Sequence, residues 1–473
     1  MNIRLKNIGI IQDSTIAIKG LTVITGQNNS GKTTVGKALY SLIDSVTDLQ
    51  EKSDIDRYNY ALSKIQKASE EFPFRLYMRR GSEEIKSECL RIFFTGSYRK
   101  TISKSKVELY LEDLISELDR LDIQKEPYIS IIEKYCPPMR LRNGEIFENF
   151  DEQRDRIISS LNETLEDILA DPELSNYTRQ SINATLLTEF YGQIQPVAKG
   201  DEMSLIEVIN NNETCFRLSI EDNFIKESEE SIYWSSPYKK TFFIDNPFVI
   251  DEPMFFKETK YTVDEVSYLD EFRIVTHDNR LKMVLNNAGP QNVFEAGIID
   301  EHYKKIKQKV DEVLPGDFVV SDGEQYYVNN GVKLKIANLA TGSKMFSIIK
   351  MLLEKGDIDK NTLLILDEPE AHLHPKWQNA FVEIMVLLIK EIGCHILLTT
   401  HSSHFMLAVD AYMRKYDIVD MCNFYQTEHL EDSMFVKYNC VNDSLDLIYK
   451  DFVSYLSEVK MLRSELIRSE WGE

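Results

Sequence analysis

The chain lacks any apolar run of membrane length. Its first residues alternate Ile3, Leu5 and Ile8 with polar neighbours, as a first strand does, and do not form the charged start and apolar stretch of a secretory signal. A cytoplasmic location without membrane contact is expected. Cysteine is scarce: Cys89, Cys136, Cys215, Cys394, Cys422 and Cys440 are scattered without paired spacing, which excludes a disulfide framework and leaves reduced thiols in the core or at the surface. Positive charge is short as well, with 55 Lys and Arg against 77 Asp and Glu and a formal net charge of −22. Coating nucleic acid needs concentrated Lys and Arg, so wholesale coating is excluded. A local basic excess runs from Arg75 to Lys106, with Phe93, Phe94 and Tyr98 interleaved. It reads either as a contact for nucleic acid or an acidic partner, or as a solvated face. Neither an internal repeat nor a low-complexity linker occurs. What is present, 43% hydrophobic and 28% charged residues over 473 positions, suits one large core plus an elaboration.

One loop carries specific chemistry. Gly26-Gln27-Asn28-Asn29-Ser30-Gly31-Lys32-Thr33-Thr34 fits G-x-x-x-x-G-K-[ST], follows the strand-like Leu21–Thr25 and precedes a helical stretch from Lys32 towards Leu42. The glycines permit a tight turn with inward N–H groups, so the nest and the helix N-terminus together attract phosphate oxygens. Gly26, Asn28, Asn29, Ser30, Gly31, Lys32, Thr33 and Thr34 are the expected nucleotide contacts. Lys32 would reach the β- and γ-phosphates and the Thr33 hydroxyl would ligate Mg2+.

Near the other end of the chain, Leu363-Leu364-Ile365-Leu366 runs into Asp367-Glu368-Pro369-Glu370. Four apolar residues describe a fully buried parallel strand whose carboxyl end delivers a carboxylate beside the phosphate loop. Asp367 would hold Mg2+ through water. Glu368 would act as general base on the water attacking the γ-phosphate. Upstream, Asn338–Lys344 follows a β-meander marked by Asp322-Gly323 and Asn330-Gly331 turns and opens the apolar helix Phe346–Leu353. A hydroxyl and a glycine at a helix start make a further anion site. Downstream, His395–Thr400 reads as a second buried strand, followed by His401, which is placed to sense a γ-phosphate.

This order of phosphate loop, short signature, D-E-P-E and T-H-S resembles ABC-type ATPase heads of the SMC, RecF and OLD group. The phrase Leu366–Pro375 is similar to the OLD branch in particular. The resemblance implies an α/β P-loop NTPase fold, an ABC head with a mixed sheet and a large helix-rich insertion. It also implies ATP and Mg2+ as cofactors. By position, Lys32 and Thr33 become the Walker A residues, Asp367 and Glu368 the Walker B residue and base, and His401 the switch histidine. Leu339–Lys344 becomes the signature, with Thr341, Gly342 and Ser343 contacting ATP held by a second copy. An ATP-dependent homodimer or higher homo-oligomer follows from the resemblance.

The departures are informative. Thr341 stands where SMC heads usually have serine, and Ser343 where they often have glutamate. No Q-loop glutamine is evident; the strand at Phe242–Pro247 offers Asp245 or Asn246 in its place, against the alternative of an ordinary strand exit. His372 and His374 read as loop architecture and not as metal ligands. Asp417-Ile418-Val419-Asp420 has the wrong spacing for the nuclease domain that many OLD-type proteins append.

The expected domains are 1–47 (head, first part), 48–240 (helix-rich insertion), 241–440 (head, second part) and 441–473 (terminal helix). Within the insertion, helices are expected at Leu49–Phe72, Val107–Tyr135 and Asp151–Leu169, with Cys136-Pro137-Pro138 as a break. In the tail, Leu445, Ile448, Phe452, Tyr455, Val459, Leu462 and Leu466 form a heptad stripe, to be covered by the chain's own domain or by a partner. The leading functional expectation is an ATPase that senses a signal and controls a separate effector such as a nuclease. In this it resembles stand-alone ATPases of two-gene bacterial anti-phage systems, such as the Septu PtuA and PARIS AriA families. Alternatives are a RecF-like ATPase that binds DNA directly and a non-hydrolysing ATP-bound scaffold.

Overall fold

The computed structural model describes residues 1–135, 150–170, 174–196, 203–210, 213–226, 234–251, 276–286, 293–321, 324–431 and 433–471. The Cys136-Pro137-Pro138 break and the Asp322-Gly323 turn lie outside them. The described residues form two units, one of Met1–Thr47 together with the chain from Thr178 onward, the other of residues 48–177.

The first unit is built on a mixed sheet. Its strands are β1 (Asn2–Ile8), β2 (Ile11–Ala17), β3 (Leu21–Thr25), β4 (Ser204–Asn210), β5 (Glu213–Glu221), β6 (Phe224–Ile225), β7 (Lys240–Ile244), then β11 (Thr362–Asp367), β12 (His395–Thr400), β13 (Cys422–His429) and β14 (Val436–Cys440); between them, β8 (Asp317–Ser321), β9 (Glu324–Asn329) and β10 (Val332–Lys335) form a separate meander. The order across the main sheet is β6-β5-β4-β1-β2-β14-β13-β3-β12-β11-β7. From β13 through β3, β12 and β11 to β7 every pairing is parallel, whereas β6 to β2 are joined antiparallel.

Strand alternation explains why the parallel strands are apolar throughout. Leu363, Ile365, Leu397, Ile24 and Phe243 face one core, with Val35, Leu39 and Ile43 of the helix Lys32–Val46. Leu364, Leu366, Ile396, Leu398, Val23 and Phe242 face the other, beneath the helices Thr341–Glu354, Pro375–Leu387 and Ser403–Lys415. Both faces are covered, so a period-two polar pattern has no place there. The fold is the expected α/β P-loop type with a mixed sheet and a helix-rich elaboration. The Asn330-Gly331 turn has positive φ at both residues, 47° and 79°, as a two-residue hairpin between β9 and β10 needs.

The helical unit is shorter than the expected 48–240 insertion. Strand β4 pairs with β1, β5 with β4 and β6 with β5, because Ile206, Val208, Leu218 and Ile220 alternate into the sheet core. Residues 48–177 hold their own core, with Phe72, Phe93, Phe94 and Phe150 in edge-to-face contact among the helices Leu49–Glu71, Glu88–Thr95, Val107–Asp119 and Phe150–Leu169. The expected helix Val107–Tyr135 is two helices, Val107–Asp119 and Tyr128–Tyr135. Pro127 lacks the N–H a continuous helix needs, and the Asp122 carboxylate takes the Gln124 N–H at 3.0 Å.

The terminal helix, Leu445–Trp471, begins against the head, with Ile448 buried and Leu445 and Tyr449 packed beside it. Further along the stripe Val459 and Leu462 are 64% and 57% exposed. No described helix is long and apolar enough to cross a membrane.

Candidate nucleotide site

Parallel pairing levels the carboxyl ends of β3, β12, β11 and β7: Thr25 stands opposite Thr400, Thr399 opposite Asp367, and Leu366 opposite Ile244. The polar residues that follow each strand therefore meet at one edge, where α/β sheets bind ligands. A separation of 334 residues between Thr33 and Asp367 is closed to a 2.5 Å hydrogen bond from the threonine hydroxyl to Oδ2.

The loop after β3 holds its shape through special backbone. Asn29 and Gly31 have φ of 61° and 70°, and a Cβ on Gly26 would stand 1.8 Å from the Thr427 hydroxyl on β13. Ser30 donates to the Gln27 carbonyl at 2.8 Å, and the Tyr438 hydroxyl on β14 donates to the Gly31 carbonyl at 2.6 Å. Asn28 is exposed on the loop, and the Thr34 N–H returns to the Gly31 carbonyl at 3.0 Å. Lys32 is only 5% exposed; its Nζ donates to the carbonyls of Gly26 and Gln27 at 3.1 and 2.8 Å and lies 3.3 Å from Glu368 Oε1. The lysine is thus folded under the loop that its charge would serve.

Asp367 receives hydroxyl hydrogen bonds from Thr33 and Thr399. Burial nevertheless pushes its carboxyl above the ordinary range, with the negative charges of Glu368 and Asp245 adding to the shift. A dication at this place would reverse that balance. Glu368 has φ 49°, ψ 49°, a left-handed conformation rare for a residue with a side chain; its N–H is held by the Thr399 carbonyl at 3.2 Å and hydroxyl at 3.1 Å. Its Oε1 lies 3.1 Å from His401 Nδ1 as well as beside Lys32. Sequence reasoning assigned no role to Glu370. It is buried, takes the Thr400 hydroxyl at 2.5 Å and the His401 N–H at 3.2 Å, and its Oε2 has no hydrogen-bond partner among the described residues. Burial pushes its carboxyl up despite those donors. The only sequence signal for it is a second glutamate, placed after the proline of Asp367-Glu368-Pro369-Glu370.

The signature stretch meets the turn Pro369–His372 that follows Glu368. Thr341, Gly342 and Ser343 start the helix Thr341–Glu354, and a Cβ on Gly342 would stand 3.1 Å from both the His372 carbonyl and the Trp377 ring. Lys344 is buried, bonded to Asp251 at 2.5 Å and to the Ala337 carbonyl at 3.1 Å. Of the two Q-loop substitutes, Asn246 caps the following turn through the Phe248 N–H at 3.0 Å. Asp245 follows β7 at the level of Asp367 and raises its pKa. His374 caps the helix Pro375–Leu387 through the Lys376 N–H, and His372 rests on Phe248, which gives both histidines structural tasks.

Residues 1–406 match the family model described as an AAA ATPase domain. No curated protein matches the chain. Among solved structures, the Smc head bound to the C-winged helix domain of ScpA is 11% identical, with 93% of this chain and 96% of that chain covered and a TM-score of 0.36. The SMC head domain from Thermotoga maritima is 9% identical, with 93% and 98% covered and a TM-score of 0.35. The Smc head with an extended coiled coil bound to the C-terminal domain of ScpA, from Pyrococcus furiosus, is 9% identical, with 97% and 98% covered and a TM-score of 0.31.

Proposed function

The chain belongs to the AAA ATPase domain family, and on that premise we propose that it binds ATP with Mg2+, hydrolyses the γ-phosphate and uses the cycle to control a separate effector. The observation that carries this is the meeting of Thr33 with Asp367 and of Glu368 with Lys32 and His401. The Thr33 hydroxyl and the Asp367 carboxylate are adjacent hard oxygen donors, the kind Mg2+ takes, and they would hold it. Bound Mg2+ supplies neutralisation of phosphate charge.

The chain's own groups do the rest. Lys32 exchanges two carbonyls for phosphate oxygens, which also loosens its hold on Glu368. Glu368 then takes the proton of the attacking water on a carboxylate oxygen, while its peptide stays fixed by Thr399. His401, whose N–H is held by Glu370, keeps its ring beside Glu368 and would sense the γ-phosphate. Thr341, Gly342 and Ser343 would close on the nucleotide of a second copy and so couple ATP to a homodimer. The exposed Val459 and Leu462 of the terminal helix, and the helical unit, are surfaces where an effector such as an anti-phage nuclease would dock.

Lys32→Ala should abolish binding of a fluorescent ATP analogue. Glu368→Gln should keep binding, slow phosphate release about 10²–10⁴-fold and accumulate dimers with Mg2+ and ATP in mass photometry. Unchanged hydrolysis in Glu368→Gln would remove it as base, and a strictly monomeric variant would remove the dimer.

A further inference from the structure

Beside the nucleotide site lies a second constellation that the reading above does not use. His277 opens the helix His277–Asn286 and is 8% exposed. Its ring lies against Phe243, with centroids 4.4 Å apart, and meets Tyr40 edge-on. The buried Glu189 grips it twice, accepting the backbone N–H at 2.9 Å and facing ring Nδ1 at 2.6 Å. A carboxylate at that distance from Nδ1 keeps a proton there, so Nε2 is the nitrogen left to face the aspartates; against the effect of burial, Asp245 and Glu189 raise the ring's pKa to about 10, and an ion at Nε2 would have to displace a proton. Nε2 has Asp245 Oδ1 at 3.2 Å and Asp278 Oδ1 at 3.8 Å, yet it makes no hydrogen bond among the described residues. The Asp245 oxygen is within reach but off the direction in which an N–H would point, and the Asp278 oxygen lies beyond hydrogen-bond distance.

One off-axis oxygen and one distant oxygen beside an unpartnered, buried imidazole nitrogen make poor hydrogen-bond geometry. They are ordinary geometry for three ligands that share an ion. Bonds of about 2.0–2.2 Å in a tetrahedral site put neighbouring ligand atoms about 3.3–3.6 Å apart. The ligand atoms of Asp245, His277 and Asp278 already lie within 4.8 Å of one another, so side-chain rotations of under an ångström or two would close the set. Glu189 completes the carboxylate–histidine–metal arrangement that orients ligating histidines. We propose that Asp245, His277 and Asp278 bind a divalent transition-metal ion, Mn2+ or Zn2+, oriented by Glu189 and distinct from the Mg2+ of the nucleotide site. Imidazole with two carboxylates favours these ions over Mg2+, which takes oxygen ligands. Asp245 follows β7 while Asp367 ends the adjacent β11, so the second ion would stand one strand away from the phosphate-handling edge. Its binding needs no nucleotide, and the site would remain if the ATPase reading failed.

The test uses the full chain, chelator-treated and nucleotide-free, titrated with MnCl2 and followed by electron paramagnetic resonance. Expected is one tightly held Mn2+ per chain with imidazole-nitrogen coupling in the pulsed spectrum, displaced by ZnCl2. Asp278→Asn and Glu189→Gln should each weaken binding about 10–100-fold, and His277→Gln should abolish the nitrogen coupling. Asp367→Asn should leave the affinity within about twofold, with folding of each variant checked by circular dichroism. Absence of nitrogen coupling in the unaltered chain would leave the cluster as an ion pair and overturn the proposal. So would binding indifferent to Asp278→Asn, or binding lost in Asp367→Asn.

Discussion

Glu370 illustrates how burial sets behaviour at a single residue. Its carboxyl is pushed up by burial, which outweighs the donors from Thr400 and His401. The folded chain therefore keeps this proton to higher pH than the unfolded chain does, and the stability it contributes declines as pH rises from the ordinary glutamate range to its native value. Glu370→Gln should flatten that part of the stability–pH curve measured by denaturant unfolding; an unchanged curve would show that Glu370 is not its source. Thiols divide in the same way. Burial pushes Cys89, Cys394 and Cys422 up to about 12, whereas Cys215 and Cys440 are exposed. Among these five, iodoacetamide at neutral pH should modify Cys215 and Cys440 first and the half-buried Cys89 more slowly, with the buried Cys394 and Cys422 reacting only after unfolding, as read by peptide mass spectrometry. The residues legible in the sequence, Lys32, Thr33, Asp367, Glu368 and His401, belong to short motifs whose chemistry is stated by neighbours in the chain. Glu370 and His277 were not legible. What distinguishes them is burial and a partner far away, as with His277 and Glu189, which are 88 residues apart.

Among the elements, strands were read most easily, because β3, β11 and β12 are apolar on both faces and end in polar motifs. Helices were legible where the apolar spacing was unbroken, as in Phe150–Leu169, and not where a local side-chain bond competes, as at Asp122. Strands β4 to β6 were not legible because β4, which joins them to the sheet, pairs with β1 some 200 residues earlier in the chain. Capping gives a direct test at this scale. The Ser87 hydroxyl accepts the Leu90 N–H at 3.3 Å and starts the helix Glu88–Thr95, whose Phe93 and Phe94 fill the helical unit's core. Ser87→Ala should cost about 1 kcal/mol in thermal or denaturant unfolding, and a loss below a few tenths would mean the cap is idle.

For the whole molecule, two units with separate cores allow stability and nucleotide binding to be varied apart. Phe93 is fully buried in the helical unit, so Phe93→Ala should destabilise that unit by about 3–5 kcal/mol. Nucleotide affinity should stay unchanged in fluorescence titration; a parallel loss would reveal energetic coupling between helical unit and head. The main sheet has a consequence for biosynthesis. Strand β3, which launches the phosphate loop, is flanked only by β12 and β13, so both of its neighbours emerge from the ribosome after some 370 further residues. Throughout that interval an apolar strand and a glycine-rich loop wait without hydrogen-bonding partners, which exposes the nascent chain to wrong pairing and makes its maturation slow. A message cut short before β12 therefore yields no formed phosphate loop, only a sticky fragment for chaperones and proteases to clear.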